Sequence, residues 1–169
     1  MSFSIVVAVD NENGIGKNGD LPWRLSADLK YFAQLTKQSD GLPPTVIMGR
    51  KTYDSIPDKF RPLPQRRNVV ISRQTDLKYT DAEVVGSLQE ALDLVTSDAA
   101  PIYVIGGGQV YADAINHPDC TELFVTHVEV KADCDVFFPA YSQYTCVSET
   151  EPAVEGDISF KFCRWQVKL

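Results

Sequence analysis

Apolar and polar positions along this chain follow two rhythms, one of period two or of continuous apolar runs, the other of period 3.6. SIVVAVD at 4–10 is a short unbroken apolar run, the pattern of a strand covered on both faces. Residues 26–38 repeat at helical spacing, with Ser26 near the start and an expected inward stripe of Leu25, position 28, Leu29, Phe32 and Leu35. TVIMG at 45–49 is a second strand leading into a short helix from Lys51. NVVIS at 68–72 and residues 82–85 are further strands, and 87–95 is an amphipathic helix. PIYVIGGG at 101–108 is a strand meeting glycines, with a helix behind it from Gln109. After Cys120 the helical period stops; ELFVTHVEV, QYTCVSET and ISFKFCRWQVKL read as strands, the last two as a hairpin.

Alternating strands and helices followed by a strand-rich tail predict an α/β fold. Its central sheet is mostly parallel with helices on both faces, and antiparallel strands are added at the C-terminal edge. Ligands of such sheets sit at the carboxyl ends of the strands. No repeat, low-complexity tract or linker-like change of composition divides the chain, so one domain over 1–169, complete at both ends, is expected.

The helical stripe has one defect. Position 28 is Asp28, a carboxylate where a core residue belongs. An acid in a first helical turn is favourable against the helix dipole and needs no function. The pattern alone leaves both readings open.

Composition narrows the class. With 44% hydrophobic and 23% charged residues in 169, the chain has enough apolar matter for one globular core. The N-terminus lacks a cationic segment and its apolar run of about seven residues is too short for a signal peptide or a membrane span, so a cytoplasmic location is expected. Cys120, Cys134, Cys146 and Cys163 are widely spaced, which favours free thiols in a reducing compartment. His117, Cys120, His127 and Cys134 match no zinc spacing, and no metal is expected.

The net charge of −7 argues against a general nucleic-acid binder. It is unevenly spread, however. Between Arg50 and Arg73, seven cations less two acids leave a local +5, so the remaining chain carries −12. An acidic protein with one basic island suits a small polyanionic ligand; a solvated surface cluster is the plainer alternative.

Three glycine motifs carry candidate chemistry. Gly14-Ile-Gly16-Lys-Asn-Gly19 formally matches GxGxxG, but Asp20-Leu21-Pro22-Trp23 prevents a helix from opening there, so a mobile lid-like loop is expected instead of a dinucleotide fingerprint. Gly106-Gly107-Gly108 stands between a strand and a helix, where backbone N–H groups can approach an anion; no Lys-Ser/Thr follows to make it a Walker loop. Gly49-Arg50-Lys51-Thr52 repeats that geometry under two cations and a hydroxyl, and Ser72-Arg73 ends the neighbouring strand.

Taken in order, these stretches resemble the dihydrofolate reductase family along nearly the whole chain. The resemblance is carried by residues 14–23, the helix with Asp28 and Phe32, Val46 to Thr52, Arg61-Pro-Leu-Pro64 with Arg66-Arg-Asn68, Ile105 to Tyr111, Thr126-His127 and Phe138-Pro139. It implies a monomeric reductase acting on dihydrofolate with NADPH as cofactor, inhibited by antifolates. Hydride passes to pterin C6 and a proton to N5. Asp28 would then hydrogen-bond the pterin, with Thr126 beside it, Trp23 ordering water, and Leu21 and Tyr111 near the nicotinamide. Val7, Ala8, Phe32, Ile56, Leu63 and Ile105 would line the pterin, Leu29 the benzoyl ring, and Arg66 would clamp the glutamate α-carboxylate.

On the cofactor side the resemblance implies Ala8, Ile15, Gly16, Lys17, Asn18, Gly19, Asp20, Leu21 and Ile105 around the nicotinamide. Arg50, Ser72 and Arg73, next to Ile71, would select the 2'-phosphate. Gly49, Lys51, Thr52, Gly106, Gly107, Gly108, Gln109, Val110 and Tyr111 would form the pyrophosphate side, with a cis Gly106–Gly107 peptide. Some positions depart from the family's frequent residues: Tyr53 for Trp, Gln65 for Gly, Gln109 for Arg or Ser, and Asp135-Val136 for Asp-Thr, where Asp135 still braces the glycine loop. Two other readings share these residues: a reductase of a related pterin-like or ribosylamino-pyrimidine substrate, and a catalytically silent folate or nucleotide-binding module.

Overall fold

The computed structural model describes residues 1–74, 76–95 and 100–169. Its strands are β1 (Phe3–Val9), β2 (Gly14–Gly16), β3 (Thr45–Gly49), β4 (Arg67–Ile71), β5 (Glu83–Val85), β6 (Ile102–Val104), β7 (Cys120–Val128), β8 (Val136–Phe137), β9 (Tyr144–Glu149), β10 (Ala153–Glu155) and β11 (Ile158–Val167). Its helices are α1 (Ser26–Lys37), α2 (Arg50–Ser55), α3 (Leu88–Leu94) and α4 (Gly108–Ile115), with a 3-10 turn at Asp58–Phe60.

The main sheet runs β10-β11-β7-β1-β6-β3-β4-β5. The pairs from β7 through β5 are parallel, and β11 is antiparallel to β7. This is the predicted architecture. Alternation across the pleat divides the strands between two cores. Ile5, Val7, Val9, Ile47 and Val69 pack with Leu88, Leu92, Val110 and Ile115 of α3 and α4 on one face. Val6, Val46, Met48 and Val70 pack with Tyr53, Phe32 and Leu35 of α2 and α1 on the other. The central strands read as unbroken apolar runs because both their faces are covered.

Three local expectations change. The C-terminal hairpin has an extra strand: β9 and β10 both pair with β11, and the tight turn is made at Gly156, φ 61°. The glycine segment expected as a loop contains β2, paired with β8. Lys17 and Asp20 then exchange both backbone hydrogen bonds around Asn18 and Gly19, whose φ values of 51° and 80° are those of a two-residue type I′ turn. Leu29, placed on the inward stripe, is 56% exposed. Among the described residues no helix is long and apolar enough to cross a membrane.

Candidate active site

The helix carrying Asp28 is held at its start and its middle by groups from elsewhere in the chain. No side chain of its own caps α1. Glu155 of β10 does so instead, accepting from Ser26 N at 2.8 Å, Ser26 Oγ at 2.9 Å and Ala27 N at 3.0 Å. Tyr31 stacks on Phe162 of β11, centroids 4.0 Å apart. Backbone hydrogen bonds from Ala27 and Ser26 hold the Glu155 carboxyl below its ordinary value of 4.5. The stability it contributes is therefore present above pH 4.5 and lost as pH falls through its folded value. Glu155→Gln is expected to melt at a lower temperature than the wild type at neutral pH, with the two curves converging in acid. Equal melting temperatures at neutral pH would show the cap to be idle.

So fixed, α1 turns Asp28 toward β7, where Thr126 Oγ1 donates to Asp28 Oδ1 at 2.7 Å. Thr126 is buried and Asp28 half-buried. Burial raises the Asp28 pKa above its ordinary 3.8, and the Thr126 hydrogen bond, which favours the charged form, only partly offsets this. Asp28 is thus more than a dipole partner: its carboxylate lies in a partly apolar cleft with the Thr126 hydroxyl as its hydrogen-bond donor. Phe32, Ile56, Leu63 and Ile105 pack together on the same side of the sheet. Ala8 and Trp23 line its other end, and the buried Trp23 Nε1 has no hydrogen-bond partner among the described residues.

Arg66 closes the far end. Its Nε donates to Pro64 O and its Nη1 to Thr36 Oγ1, both at 2.9 Å, with the guanidinium 5.9 Å from the Phe32 ring centroid. The loop beneath is pinned by Asn68, which exchanges hydrogen bonds with Leu63 N at 2.8 Å and Leu63 O at 3.0 Å and also donates to Arg66 O. Across the strand ends, Tyr111 is buried and its hydroxyl donates to Val6 O at 2.7 Å. Burial raises that phenol strongly, with the Asp28 charge adding to it, so Tyr111 is a neutral brace whose proton is already spent.

The starts of α2 and α4 lie side by side, joined by Gly49 N donating to Gly106 O at 2.8 Å. The Gly106–Gly107 peptide is cis, as expected. A Cβ at Gly107 would come within 3.2 Å of Thr52 Oγ1, and one at Gly49 within 3.3 Å of Val110 Cγ2, so a side chain at either position would press its neighbour aside by a few tenths of an ångström. The first-turn N–H groups of both helices are free of helical partners, which suits phosphate oxygens. Of the basic island, Lys51 and Arg73 carry no ion pair among the described residues. Arg50 bonds Asp54 at 3.1 Å, Arg61 bonds Asp54 and Asp58, and Arg67 bonds Glu83 at 2.8 Å. The residues fit a phosphorylated dinucleotide with fewer available cations than the raw count suggests.

Other expected positions diverge. Ser72 is buried and its Oγ accepts from Gln74 N at 3.1 Å. Gln109 turns its amide to Asp113 of its own helix. Lys17 to Leu21 are exposed on the β2 turn. Gly16, Ile15 and Ile71 are half-buried. His117, Cys120, His127 and Cys134 do not converge; each faces a different partner.

Asp10, Thr36 and Glu155 hold the site together without being candidates from sequence, and Asn68, part of the resemblance, had no role assigned to it. An acid ending an apolar strand run was a visible signal for Asp10, and Thr36 stood in a helical stripe. Nothing local marks Glu155, which acts 129 residues from Ser26. Asp10 accepts from Glu12 N, Gly14 N and Ala132 N at 2.9, 2.7 and 3.1 Å, joining the β2 turn to the segment before β8. Asp135 accepts from Asn18 N at 3.0 Å, the brace expected of it, while Val136 lies against Gly108, where a Cβ would meet its Cγ1 at 2.7 Å.

The family profile described as Dihydrofolate reductase matches residues 2–167. The chain is 38% identical to a dihydrofolate reductase of Heliothis virescens over 96% of this chain and 95% of that one. It is 40% identical to a bifunctional dihydrofolate reductase-thymidylate synthase of Arabidopsis thaliana over 95% of this chain, and spans 31% of that longer protein. The solved structure of Schistosoma mansoni dihydrofolate reductase superposes with a TM-score of 0.87 at 33% identity, covering 99% of both chains. The fold, the acid on α1 and the joined helix starts are accounted for together: this chain belongs to the dihydrofolate reductase family.

Proposed function

We propose that this protein reduces 7,8-dihydrofolate to 5,6,7,8-tetrahydrofolate with NADPH, as a monomeric cytoplasmic enzyme whose residues 1–169 form a single reductase domain that antifolates inhibit. The observation that carries this reading is the half-buried Asp28 carboxylate, hydrogen-bonded to Thr126 in an apolar cleft beside the strand ends. NADPH, when bound, supplies the hydride that reaches pterin C6. Its product supports one-carbon transfer and so thymidylate, purine and glycine synthesis.

Asp28 accepts from the pterin's 2-amino group and N3, and so holds the ring in the tautomer whose N5 can take a proton. Trp23 Nε1, unpaired among the described residues, holds the water that delivers it. The backbone of Val7 and Ala8 at the strand end, the side chains of Phe32, Ile56 and Leu63 and the Ile105 carbonyl exclude bulk water from the ring. Leu29 meets the benzoyl group, which explains a leucine left 56% exposed on the cleft side of α1. Arg66, already oriented by Pro64 and Thr36, offers its remaining donors to the α-carboxylate. Leu21 and the β2 turn cover the nicotinamide, and Arg50, Lys51, Thr52, Arg73 and the α4 amides hold the phosphates.

The test is oxidation of NADPH followed with dihydrofolate and repeated with methotrexate. Rapid, methotrexate-sensitive oxidation is expected; no turnover, or turnover indifferent to the inhibitor, discards the reading. Arg73→Glu should raise KM for NADPH at least tenfold, equivalent to losing about 1.4 kcal/mol, with KM for NADH scarcely changed. An unchanged preference between the two cofactors removes Arg73 from the phosphate site.

A further inference from the structure

On the sheet face turned away from Asp28, the register of β9 against β11 has an irregularity that brings three metal-ligating side chains together. Cys163 is paired with Glu149, Arg164 with Ser148, and Trp165 with Cys146, so Val147 is passed over. In a regular strand, residues three apart point to opposite faces. Here the bulge turns Cys146 back to the face that Glu149 shares with Cys163. The Sγ atoms of Cys146 and Cys163 and a Glu149 carboxylate oxygen all lie within 4.8 Å of one another, the one such grouping among the described residues. Alternation separates it from the cleft: Phe162 is paired with Thr126, whereas Cys163 is paired with Val125, which packs in the core of the opposite face.

We infer that Cys146, Cys163 and Glu149 form a binding site for a soft divalent cation of the zinc class. Thiolates about 2.3 Å from a zinc ion stand about 3.8 Å apart at tetrahedral corners, so the three groups need only a small contraction to ligate one. All four cysteines are free thiols, so no disulfide competes in this state. Cys163 is buried, Cys146 is half-buried and Glu149 is exposed, which leaves an entry from solvent and a fourth corner for water. Binding releases one proton from each thiol. Two thiolates, one carboxylate and a dication then sum to −1, which the Lys161 ammonium, 3.1 Å from Glu149 Oε2, neutralises. His127 is paired with Lys161 on the same face and completes the polar surroundings. The cation would clip β9 to β11 and so strengthen the edge of the sheet.

The experiment titrates the reduced, full-length protein with Cd2+ and with Zn2+ alone, without substrate. One Cd2+ per chain with a thiolate-to-metal ultraviolet band is expected, and Zn2+ should raise the melting temperature. Cys146→Ser should abolish the band and the shift while leaving turnover in metal-free buffer unchanged. Glu149→Gln should weaken Zn2+ at least tenfold, and Cys134→Ser should change nothing. Absence of the band, its survival in Cys146→Ser, or its loss in Cys134→Ser overturns the assignment, as does formation of a Cys146–Cys163 disulfide in place of metal uptake. Because Cys146 is half-buried and on an edge strand, its variant keeps the test decisive even if Cys163→Ser fails to fold.

Discussion

Asp28→Asn is expected to lower kcat by about two orders of magnitude or more, the scale of a lost proton-positioning group. The same variant should be more stable than the wild type. The two effects have one cause. Asp28 is kept in a site that burial makes unfavourable for its charge, so its folded pKa lies above 3.8. The sign follows from linkage: relative to the ionised state, stability is fully present below pH 3.8 and is lost as pH rises through the folded value. An amide has no such charge and can still meet Thr126 Oγ1, so the gain in melting temperature should be seen at neutral pH and vanish in acid. Turnover should fall most at high pH, where protonated substrate is scarce and its tautomer most needs the carboxylate. A pH profile of kcat beside melting curves reads both. An undiminished rate removes Asp28 from catalysis, and a variant that melts lower would show that the carboxylate is instead a structural hydrogen-bond partner.

Much of the frame was legible because it rests on local rules. Strand periodicity in SIVVAVD and TVIMG, and helical spacing through 26–38, depend on which faces the sheet and helices bury. The start of α3 is equally local, though its cap was not read from the sequence: Ser87 Oγ accepts from Glu90 N at 3.1 Å, and Glu90 Oε2 accepts from Gly86 N at 2.6 Å. Asp28 was legible as a defect in a stripe, and the resemblance supplied its partner Thr126. What escaped was non-local. Glu155 caps a helix from the far end of the chain, β10 exists only as a partner of β11, and β2 exists only because β8 meets it. The basic island misled in a related way, since composition counts cations but not their partners, and Arg61 and Arg67 are taken up within the fold. Leu29 counted as core in the helical stripe yet lies 56% exposed, because spacing fixes a side of the helix and not what covers it; its place beside a benzoyl ring came from the resemblance alone.

Asp10→Ala is expected to be the most damaging change among the polar residues, costing about 3 kcal/mol or more, because three backbone donors in and around a buried pocket lose their common acceptor. Gly14 packs closely against the carboxylate: a Cβ there would stand 2.5 Å from Cys134 Sγ and 2.9 Å from Asp10 Oδ1. Burial acts to raise the Asp10 pKa, but the N–H groups of Ala132, Gly14 and Glu12, with the Cys134 thiol, hold it below the ordinary 3.8. Its stabilising contribution is therefore present above pH 3.8 and lost as pH falls through the folded value. Denaturant titrations of wild type and variant should differ most at neutral pH and approach each other in strong acid. The damage should also reach the cofactor: losing Asp10 frees the β2 turn from the segment before β8, and with it Asn18 from Asp135. KM for NADPH should then rise more than KM for dihydrofolate, whose proposed site is built on α1 and β7. Equal changes in the two constants would assign Asp10 to general stability alone, and an unchanged denaturation midpoint would show that its three hydrogen bonds are replaceable.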